Sequence, residues 1–352
     1  MKALAAVLHT GMALNHRGNP ASSLRIEKLY ATPVLLSGIS ALVLADKEIE
    51  SIEIHYCQTL TRLLRLHDRT PRSVVYFLAG SLPGIALVHL RQLGLFGMIC
   101  RLPDNPLHQH ACNIFQARTV SRKSWFHQIR RLCLKYDLPH PSSLLSMAPS
   151  KQVFKMLVKK RVISFWEIQL RAESSSLTSL TFFKPQYLSL TKPHPMISSA
   201  GLSPAKVSMA TVQMRLISGR YRTNHLTRHW SKSRSPICSL SPDCNEIEDV
   251  RHFLQTCPAL MTVRLRLIDY VSSFCEATTD LPAEACNLLK QFCNPRNLYF
   301  CDFLLDCSTL PAVINLVQCY GNHILSAFFT VTRTYCFVLH RERRKLQGSW
   351  KR

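Results

Sequence analysis

Three cysteines and one histidine are confined to a segment of twenty residues in this chain of 352. They are Cys238, Cys244, His252 and Cys257, with five, seven and four residues between successive members. Thiolate and imidazole are the side chains with which proteins hold zinc tetrahedrally, and such closed sites organise folds too small for a core of their own. The spacing therefore predicts a zinc knuckle in which all four residues bind one structural Zn2+ ion.

The residues between the ligands indicate how the chain would wrap around the metal. A short amphipathic helix is predicted between the second ligand and the third. The pattern of residues 246–255 can form it, with acidic residues in its first turn, where the helix dipole favours them. His252 and Cys257 are five residues apart and cannot share a face of a helix with 3.6 residues per turn. Cys257 is therefore expected just past the helix end, where Pro258 fits a termination.

The rest of the chain is expected to be mainly α-helical, a multi-helix array with little or no β-sheet. Apolar residues make up 47% of the chain and glycines number only 11, which disfavours a turn-rich sheet protein. Asp46 is the expected N-cap of the second helix. Helices are predicted over 23–44, 47–66, three proline-led segments between 71 and 118, then 122–137, 151–173, 204–230, 260–277, 283–293, 297–306 and, as a single helix, 311–346.

Positive charge is concentrated in one third of the chain. Lys and Arg number 44 against 21 acids, a net charge of +23, and residues 121–236 hold 20 of the basic residues against three acids, a net +17. Such segregation predicts a polyanionic partner, for which nucleic acid is the commonest candidate. The residues expected to contact phosphates, or bases in the case of the tyrosine, are Arg122, Lys123, Arg130, Arg131, Lys155, Lys159, Lys160, Arg161, Arg220, Tyr221 and Arg222.

These patterns divide the chain into four predicted regions. They are a helical region at 1–118, a basic helical region for nucleic-acid binding at 119–234, the zinc-binding domain at 235–264 and a C-terminal helical tail at 265–352. The segment from 174 to 203, where Ser, Thr and Pro are frequent, is expected to be a linker that is either extended and packed by its aromatic residues or partly mobile.

Cysteine usage and hydropathy predict an intracellular protein, in the nucleus or the cytoplasm, that is not secreted. The 14 cysteines form no compact disulfide framework, which favours a reducing compartment. His9 limits the N-terminal apolar run to six residues, shorter than a signal peptide requires. Arg333 lies in the middle of the apolar segment 323–340, so a buried helix is expected there and no membrane partner.

The knuckle carries a resemblance to a known family. The pattern C-x5-C-x4-ED-x2-H-x4-CP resembles the zinc-binding domain that follows the reverse transcriptase domain in polyproteins of non-LTR, LINE-like retrotransposons. Residues 30–44 are similar to the end of the palm as it enters the thumb of these polymerases. Residues 78–102 and 213–230 are similar to the basic region between the thumb and the knuckle. The resemblance thus implies a thumb-like region before residue 119 and a polymerase portion of the same element as a partner.

The chain departs from that family in its acidic residues. The polymerases carry a Tyr-x-Asp-Asp motif for two-metal catalysis, and no Asp-Asp dipeptide occurs in this sequence. The acids after the knuckle also lack the arrangement of the endonuclease that some relatives place there. The expectation is therefore a protein that has no enzymatic activity and no small-molecule substrate. Its expected role is to position RNA or target DNA.

Two other interpretations of the sequence stay open. In the first, zinc holds a helical scaffold whose basic face binds an acidic protein. In the second, the open reading frame is a decayed retroelement fragment with no selected function.

Overall fold

The computed structural model describes residues 19–116, 124–201, 203–229 and 235–349. In these ranges the regular structure is helical, and strand pairing is limited to an isolated antiparallel bridge between Ile237 and Ile247. The prediction of a mainly α-helical array is therefore confirmed.

Six α-helices lie in residues 19–116. They are α1 (Pro20–Ile26), α2 (Thr32–Leu35), α3 (Asp46–Leu63), α4 (Arg72–Ala79), α5 (Gly84–Ile99) and α6 (Pro106–Gln116). A π-helical turn, Glu27–Ala31, joins α1 to α2 just before Pro33, whose ring cannot fit a regular helix interior. Ala45, and not Asp46 as predicted, is the N-cap of α3; its amide donates to the Glu48 side chain at 2.8 Å.

Six more α-helices lie in residues 124–229. They are α7 (Trp125–Lys135), α8 (Pro141–Ser146), α9 (Lys151–Ser175), α10 (Pro195–Ser198), α11 (Pro204–Ile217) and α12 (Asn224–Arg228). The predicted linker at 174–203 contains α10 and two short 3-10 turns. It is held to the fold at two interior positions, because Phe183 packs on Phe77 and the buried His194 pairs with Asp306 at 3.0 Å between Nε2 and Oδ2.

Five α-helices follow the knuckle in residues 261–349. They are α13 (Met261–Ala277), α14 (Ala283–Phe292), α15 (Phe300–Asp306), α16 (Pro311–Tyr320) and α17 (Asn322–Ser349). The first three agree closely with the predicted spans. The single helix predicted from 311 to 346 is wrong, because Gly321 adopts a φ of 98° and separates α16 from α17, which pack on each other.

One large hydrophobic core runs through the helices and has two centres, and Leu36, Ile39 and Val88 form a small separate cluster. In the first, α5 packs on α3 and α9; in the second, α17 packs on α11, α13, α15 and α16. The predicted basic region therefore contributes α9 to one centre and α11 to the other.

The predicted buried helix around Arg333 lies within α17. Arg333 is 1% exposed, and its Nε donates to the Phe329 carbonyl at 2.6 Å. No single helix among the described residues is long and apolar enough to cross a membrane. Two helix pairs, bent at a break, meet the same length and composition criteria when joined: Arg72–Ala79 with Gly84–Ile99, and Phe300–Thr309 with Pro311–Tyr320.

Candidate metal centre and the adjoining cationic cleft

The four predicted ligands meet at one buried point. Their ligand atoms all lie within 4.8 Å of one another, and each of the four side chains is buried. The sulfurs of Cys238 and Cys257 are 3.8 Å apart, and the Cys244 sulfur is 3.4 Å from His252 Nε2. This Cys3His cluster can hold a metal ion.

The spacing and the chemistry of the cluster fit a tetrahedral ion. With Zn–S bonds of about 2.3 Å, two sulfurs of a tetrahedral site are separated by about 3.8 Å, which is the separation of Cys238 and Cys257. Burial raises the pKa of both of these thiols. A bound cation would favour their thiolate forms, because metal binding displaces the thiol protons.

Backbone pairing brings the first two ligands towards the last two. The Cys238 amide donates to the Glu246 carbonyl at 2.8 Å, next to the isolated β-bridge, and Cys244 lies in the turn between them. His252 stands in a π-helical turn, and the Cys257 amide donates to its carbonyl at 2.8 Å. Cys257 thus lies just past the helical turn, as predicted.

The predicted helix start is wrong by four residues. Helical structure begins at Val250, and the Asp249 side chain caps it by accepting a hydrogen bond from the His252 amide at 2.6 Å. Glu246 and Glu248 therefore precede the helix. These two residues belong to the segment that positions Cys238 opposite Glu246. Their side chains make contacts that the sequence pattern did not predict.

The first of these contacts orients the histidine ligand. His252 Nδ1 lies 2.7 Å from Glu246 Oε2 and 3.1 Å from Thr256 Oγ1, which leaves Nε2 directed at the Cys244 sulfur. The hydrogen bond with His252 also lowers the pKa of the Glu246 carboxyl. A carboxylate on the outer nitrogen of a metal-binding histidine fixes its tautomer and ring plane, so Glu246 would position His252 for an ion.

A buried arginine supplies a second indication of a charged site. Arg264 is 0% exposed, donates to the Cys257 carbonyl, and forms no salt bridge with any carboxylate of the described residues. Burial lowers the pKa of its guanidinium, and its Nε and Nη1 have no hydrogen-bond partner among the described residues. Three thiolates and a neutral imidazole around a divalent ion would carry a net charge of −1, and that charge would compensate the Arg264 guanidinium.

Glu248 links the knuckle to two distant parts of the chain. Its side chain is fully buried; Oε2 accepts from the Asn224 amide at 2.8 Å, and Oε1 accepts from Arg343 Nε at 2.7 Å. Arg343 in turn donates to the Arg222 carbonyl at 2.8 Å. This buried pair therefore joins α17 and the start of α12 to the residue four positions before a metal ligand.

Tyr221 belongs to the same connection. Its ring stacks on Phe253, next to the ligand His252, with centroids 5.1 Å apart, and its hydroxyl lies 2.8 Å from His340 Nδ1. Tyr221 is 5% exposed. This burial argues against the prediction that Tyr221 itself contacts nucleic acid, because its ring has no free face on which a base could stack.

An arginine-rich cleft opens beside Tyr221, between the end of α3, α11, α12 and α17. Its volume is about 870 Å3, and Asp68 is the one acidic residue of its lining. The cationic residues of this arginine cleft are Arg215, Arg220, Arg222, Arg343 and Arg344. Two of them are held in place: Arg215 donates twice to the Arg65 carbonyl, at 3.1 and 2.9 Å, and Arg343 is held by Glu248.

Two histidines of the cleft have lowered pKa values, to which the positive potential of its arginines contributes after burial. Burial lowers the pKa of His340 to about 4, with further lowering by Arg344, Arg343 and Arg215. Burial and the charge of Arg222 likewise lower the pKa of His67. The histidines belong to different elements, so the potential arises from the assembled cleft.

The other predicted nucleic-acid contacts are spread over the surface. Arg130 and Arg131 are exposed on α7, and Lys160 and Arg161 are exposed on α9, where Arg161 pairs with Asp137 at 3.0 Å. Lys155 and Lys159 are exposed on another part of α9. Arg122 and Lys123 lie outside the described residues. Of the predicted contacts that are described, the structure places only Arg220, Tyr221 and Arg222 in the lining of the arginine cleft.

The sequence pattern did not predict the roles of Glu246, Glu248, Thr256, Arg264 and Arg343. Of these, only Glu246 and Thr256 left a local signal, since both are near His252 in the sequence. No family model, curated protein or solved structure matches this chain.

Proposed function

We propose that this protein binds nucleic acid through the arginine cleft and that a structural zinc ion keeps the cleft assembled. One observation supports the link between the two. Arg343 lines the cleft and also pairs with Glu248 of the knuckle inside the protein. A metal that orders the knuckle would therefore also order the cleft wall.

Zinc is the ion that best suits the knuckle. Three thiolates with one imidazole are a soft donor set, and Zn2+ accepts the tetrahedral geometry without redox chemistry. Four protein ligands leave no position for a water or a substrate. The role of the ion is therefore to stabilise the fold and not to take part in catalysis.

Nucleic acid is the polyanion that best suits the cleft. The guanidinium group donates in a planar fork that matches phosphate oxygens, and five such groups line one cleft. Arg220 and Arg222 are expected to contact phosphates directly. Arg215 and Arg343 would shape the cleft wall, where a carbonyl and a carboxylate hold them. The contacts would be made to the backbone, so they would favour RNA or DNA without selecting a sequence.

The resemblance of the knuckle suggests where such a protein would act. We propose that the chain is the C-terminal part of a non-LTR retrotransposon reverse transcriptase, which positions RNA or target DNA for the polymerase portion of the element. The concentration of +17 of the net charge in residues 121–236 supports this proposal.

The salt dependence of binding tests the function. The zinc-loaded full chain would be titrated into labelled single-stranded RNA and duplex DNA between 50 and 200 mM salt, about the range in which counterion release changes affinity most visibly. Log affinity should fall linearly with log salt, by about 0.7 per phosphate contact on a single strand and about 0.9 on a duplex. Binding that is undetectable, or independent of salt, would contradict the proposal.

A further inference from the structure

A second cationic surface lies on the opposite core centre, in a groove between α5 and α9. Its volume is about 670 Å3. Its apolar lining consists of Leu90, Leu95, Met98, Phe154 and Val158, and its basic lining of Arg91, Arg101, Lys151, Lys155 and Lys159. Ser40 and Gly94 complete the lining, which contains no acidic residue. We call this surface the α5/α9 groove.

Two glycines of α5 shape the groove. A Cβ at Gly97 would overlap the Phe154 ring, so Gly97 allows α5 and α9 to approach each other closely. A Cβ at Gly94 would meet nothing within 4 Å, so the missing side chain leaves the groove open. Met98 is 50% exposed in this lining, and methionine side chains adapt to the shape of an apolar partner.

The rim cations form no salt bridge with an acid of the part of the chain that the structure describes. Lys151, Lys155 and Lys159 recur every four residues along one face of α9, an arrangement in which like charges weaken a helix slightly. None of them, and neither Arg91 nor Arg101, forms a salt bridge with an acid of the described residues. The α5/α9 groove therefore has an apolar floor between two cationic edges, and no acid of the described residues forms a salt bridge with those edges.

We propose that the α5/α9 groove binds an amphipathic, acidic helix of a partner protein. Apolar side chains at steps of three and four residues would enter the groove, and Asp or Glu residues on both flanks would pair with the rim. Lys151 to Lys159 spans about 12 Å at 1.5 Å per residue, so the docked segment would be two to three helical turns.

The lining favours this occupant over nucleic acid and over the chain's own N-terminus. The floor is mostly aliphatic, and the one aromatic side chain, Phe154, is 4% exposed, so it provides no stacking platform for bases. Residues 1–18 are apolar in part but carry Lys2 and Arg17 and no acid, so their charge opposes the rim. The inference assigns Lys155 and Lys159 to protein recognition and is independent of the proposed nucleic-acid function.

A designed peptide provides the probe. A labelled helical peptide with leucines on one face and glutamates on both flanks would be titrated into the full zinc-loaded chain and followed by fluorescence anisotropy. One control peptide has the same composition in scrambled order, and another has lysines in place of the glutamates. We expect the acidic amphipathic peptide to bind at least about tenfold more tightly than either control, a difference of about 1.4 kcal/mol.

Two variants test whether the peptide binds in the groove. Gly94→Leu should fill the open space and remove binding, while helix formation is favoured because leucine is the better helix former. The double variant Lys155→Glu with Lys159→Glu should weaken binding of the acidic peptide and strengthen binding of the lysine-flanked peptide. Lys160→Glu on the same helix, which does not line the groove, is the matched control and should change neither.

Three results would overturn the inference. The first is equal binding of the ordered and scrambled peptides. The second is peptide binding that survives Gly94→Leu in a protein with an unchanged circular dichroism spectrum. The third is a loss of oligonucleotide binding, or of a concentration-dependent dimer, in the Gly94→Leu variant, because the groove would then hold nucleic acid or a second copy of the chain.

Discussion

The arginine cleft and the α5/α9 groove have the same sign of charge but differ in chemistry. The cleft is lined by five arginines, two of which are fixed by protein carbonyls or a buried carboxylate. The groove has flexible lysines and two arginines around an apolar floor, and its rim has no counterpart to the Glu248–Arg343 pair. Net charge alone would assign both surfaces to one polyanion.

The difference shows that the partner suited to a charged side chain depends on whether other groups of the protein hold that side chain in place. Guanidinium groups held rigidly lose little conformational freedom on binding phosphate. Exposed lysines keep that freedom, and they suit the edges of an apolar contact where pairing adds specificity more than affinity. Of the two surfaces, the cleft is the one joined to the metal knuckle, through the Glu248–Arg343 pair. Perturbing the metal should therefore affect the cleft and leave the groove unchanged.

Loss of a metal ligand should have the largest effect. Cys257→Ser, or removal of zinc by a chelator, should unfold the knuckle, because structural zinc contributes on the order of 10 kcal/mol in small zinc-binding peptides. Oligonucleotide affinity should fall at least about tenfold, and the melting temperature should fall as well. Peptide binding at the α5/α9 groove should be retained. Thermal melting, zinc content and both anisotropy titrations would be measured on the same samples. Loss of oligonucleotide binding with an unchanged melting profile would contradict a structural metal.

The buried ion pair should give the next largest effect. Glu248→Gln leaves Arg343 as an unpaired buried charge and should lower the free energy of unfolding by about 3–5 kcal/mol. The matched control is Glu50→Gln, which breaks the exposed Glu50–Arg72 pair and should cost at most about 1 kcal/mol. Urea denaturation measures both. Equal losses in the two variants would show that Glu248 does not hold the cleft wall.

Removing two cleft arginines should weaken binding without unfolding the protein. Arg220→Ala with Arg222→Ala removes two predicted phosphate contacts and should reduce the salt slope on single-stranded RNA by about 1.4. Lys155→Ala with Lys159→Ala removes the same number of charges from the α5/α9 groove and should leave the slope unchanged. If both double variants lower the slope equally, the comparison between the surfaces fails.

The pKa of His340 should give the smallest and most local signal. Phosphates in the cleft would offset its arginines and raise the pKa of His340 from about 4. His89 is buried on α5, where burial lowers its pKa to about 3, and it should not respond to oligonucleotide. Histidine NMR titrations with and without oligonucleotide would measure both. A shift of both pKa values, or of neither, would contradict local binding at the cleft.

The same lowered pKa has a consequence for stability. His340 titrates near its ordinary value of 6.5 in the unfolded chain and near 4 in the folded protein. The unfolded chain therefore binds more protons between these values, and stability falls as pH drops from about 6.5 to about 4. His340→Gln should flatten this part of the stability profile in urea denaturation.

Much of the architecture could be predicted from local sequence. Pro71 and Gly80 bracket α4, and the spans of α13, α14 and α15 agree closely with apolar periodicity, because helix boundaries depend on residues within one or two turns. The break at Gly321 was missed. A lone glycine inside an apolar pattern is compatible with a continuous helix, and packing between α16 and α17 decides otherwise.

The sequence by itself determined the Cys3His cluster, because its ligands lie within twenty residues and their chemistry is specific to metals. It also determined that the protein is helical and strongly basic. Tertiary structure alone decided that Tyr221 is buried, that Arg343 meets Glu248 and that the basic residues form two unlike surfaces. Arg65, Arg215 and Arg343 are separated by more than a hundred residues each. The packing of α11 on α17 brings Arg215 and Arg343 to one cleft, and hydrogen bonds from Arg215 to the Arg65 carbonyl add the third position.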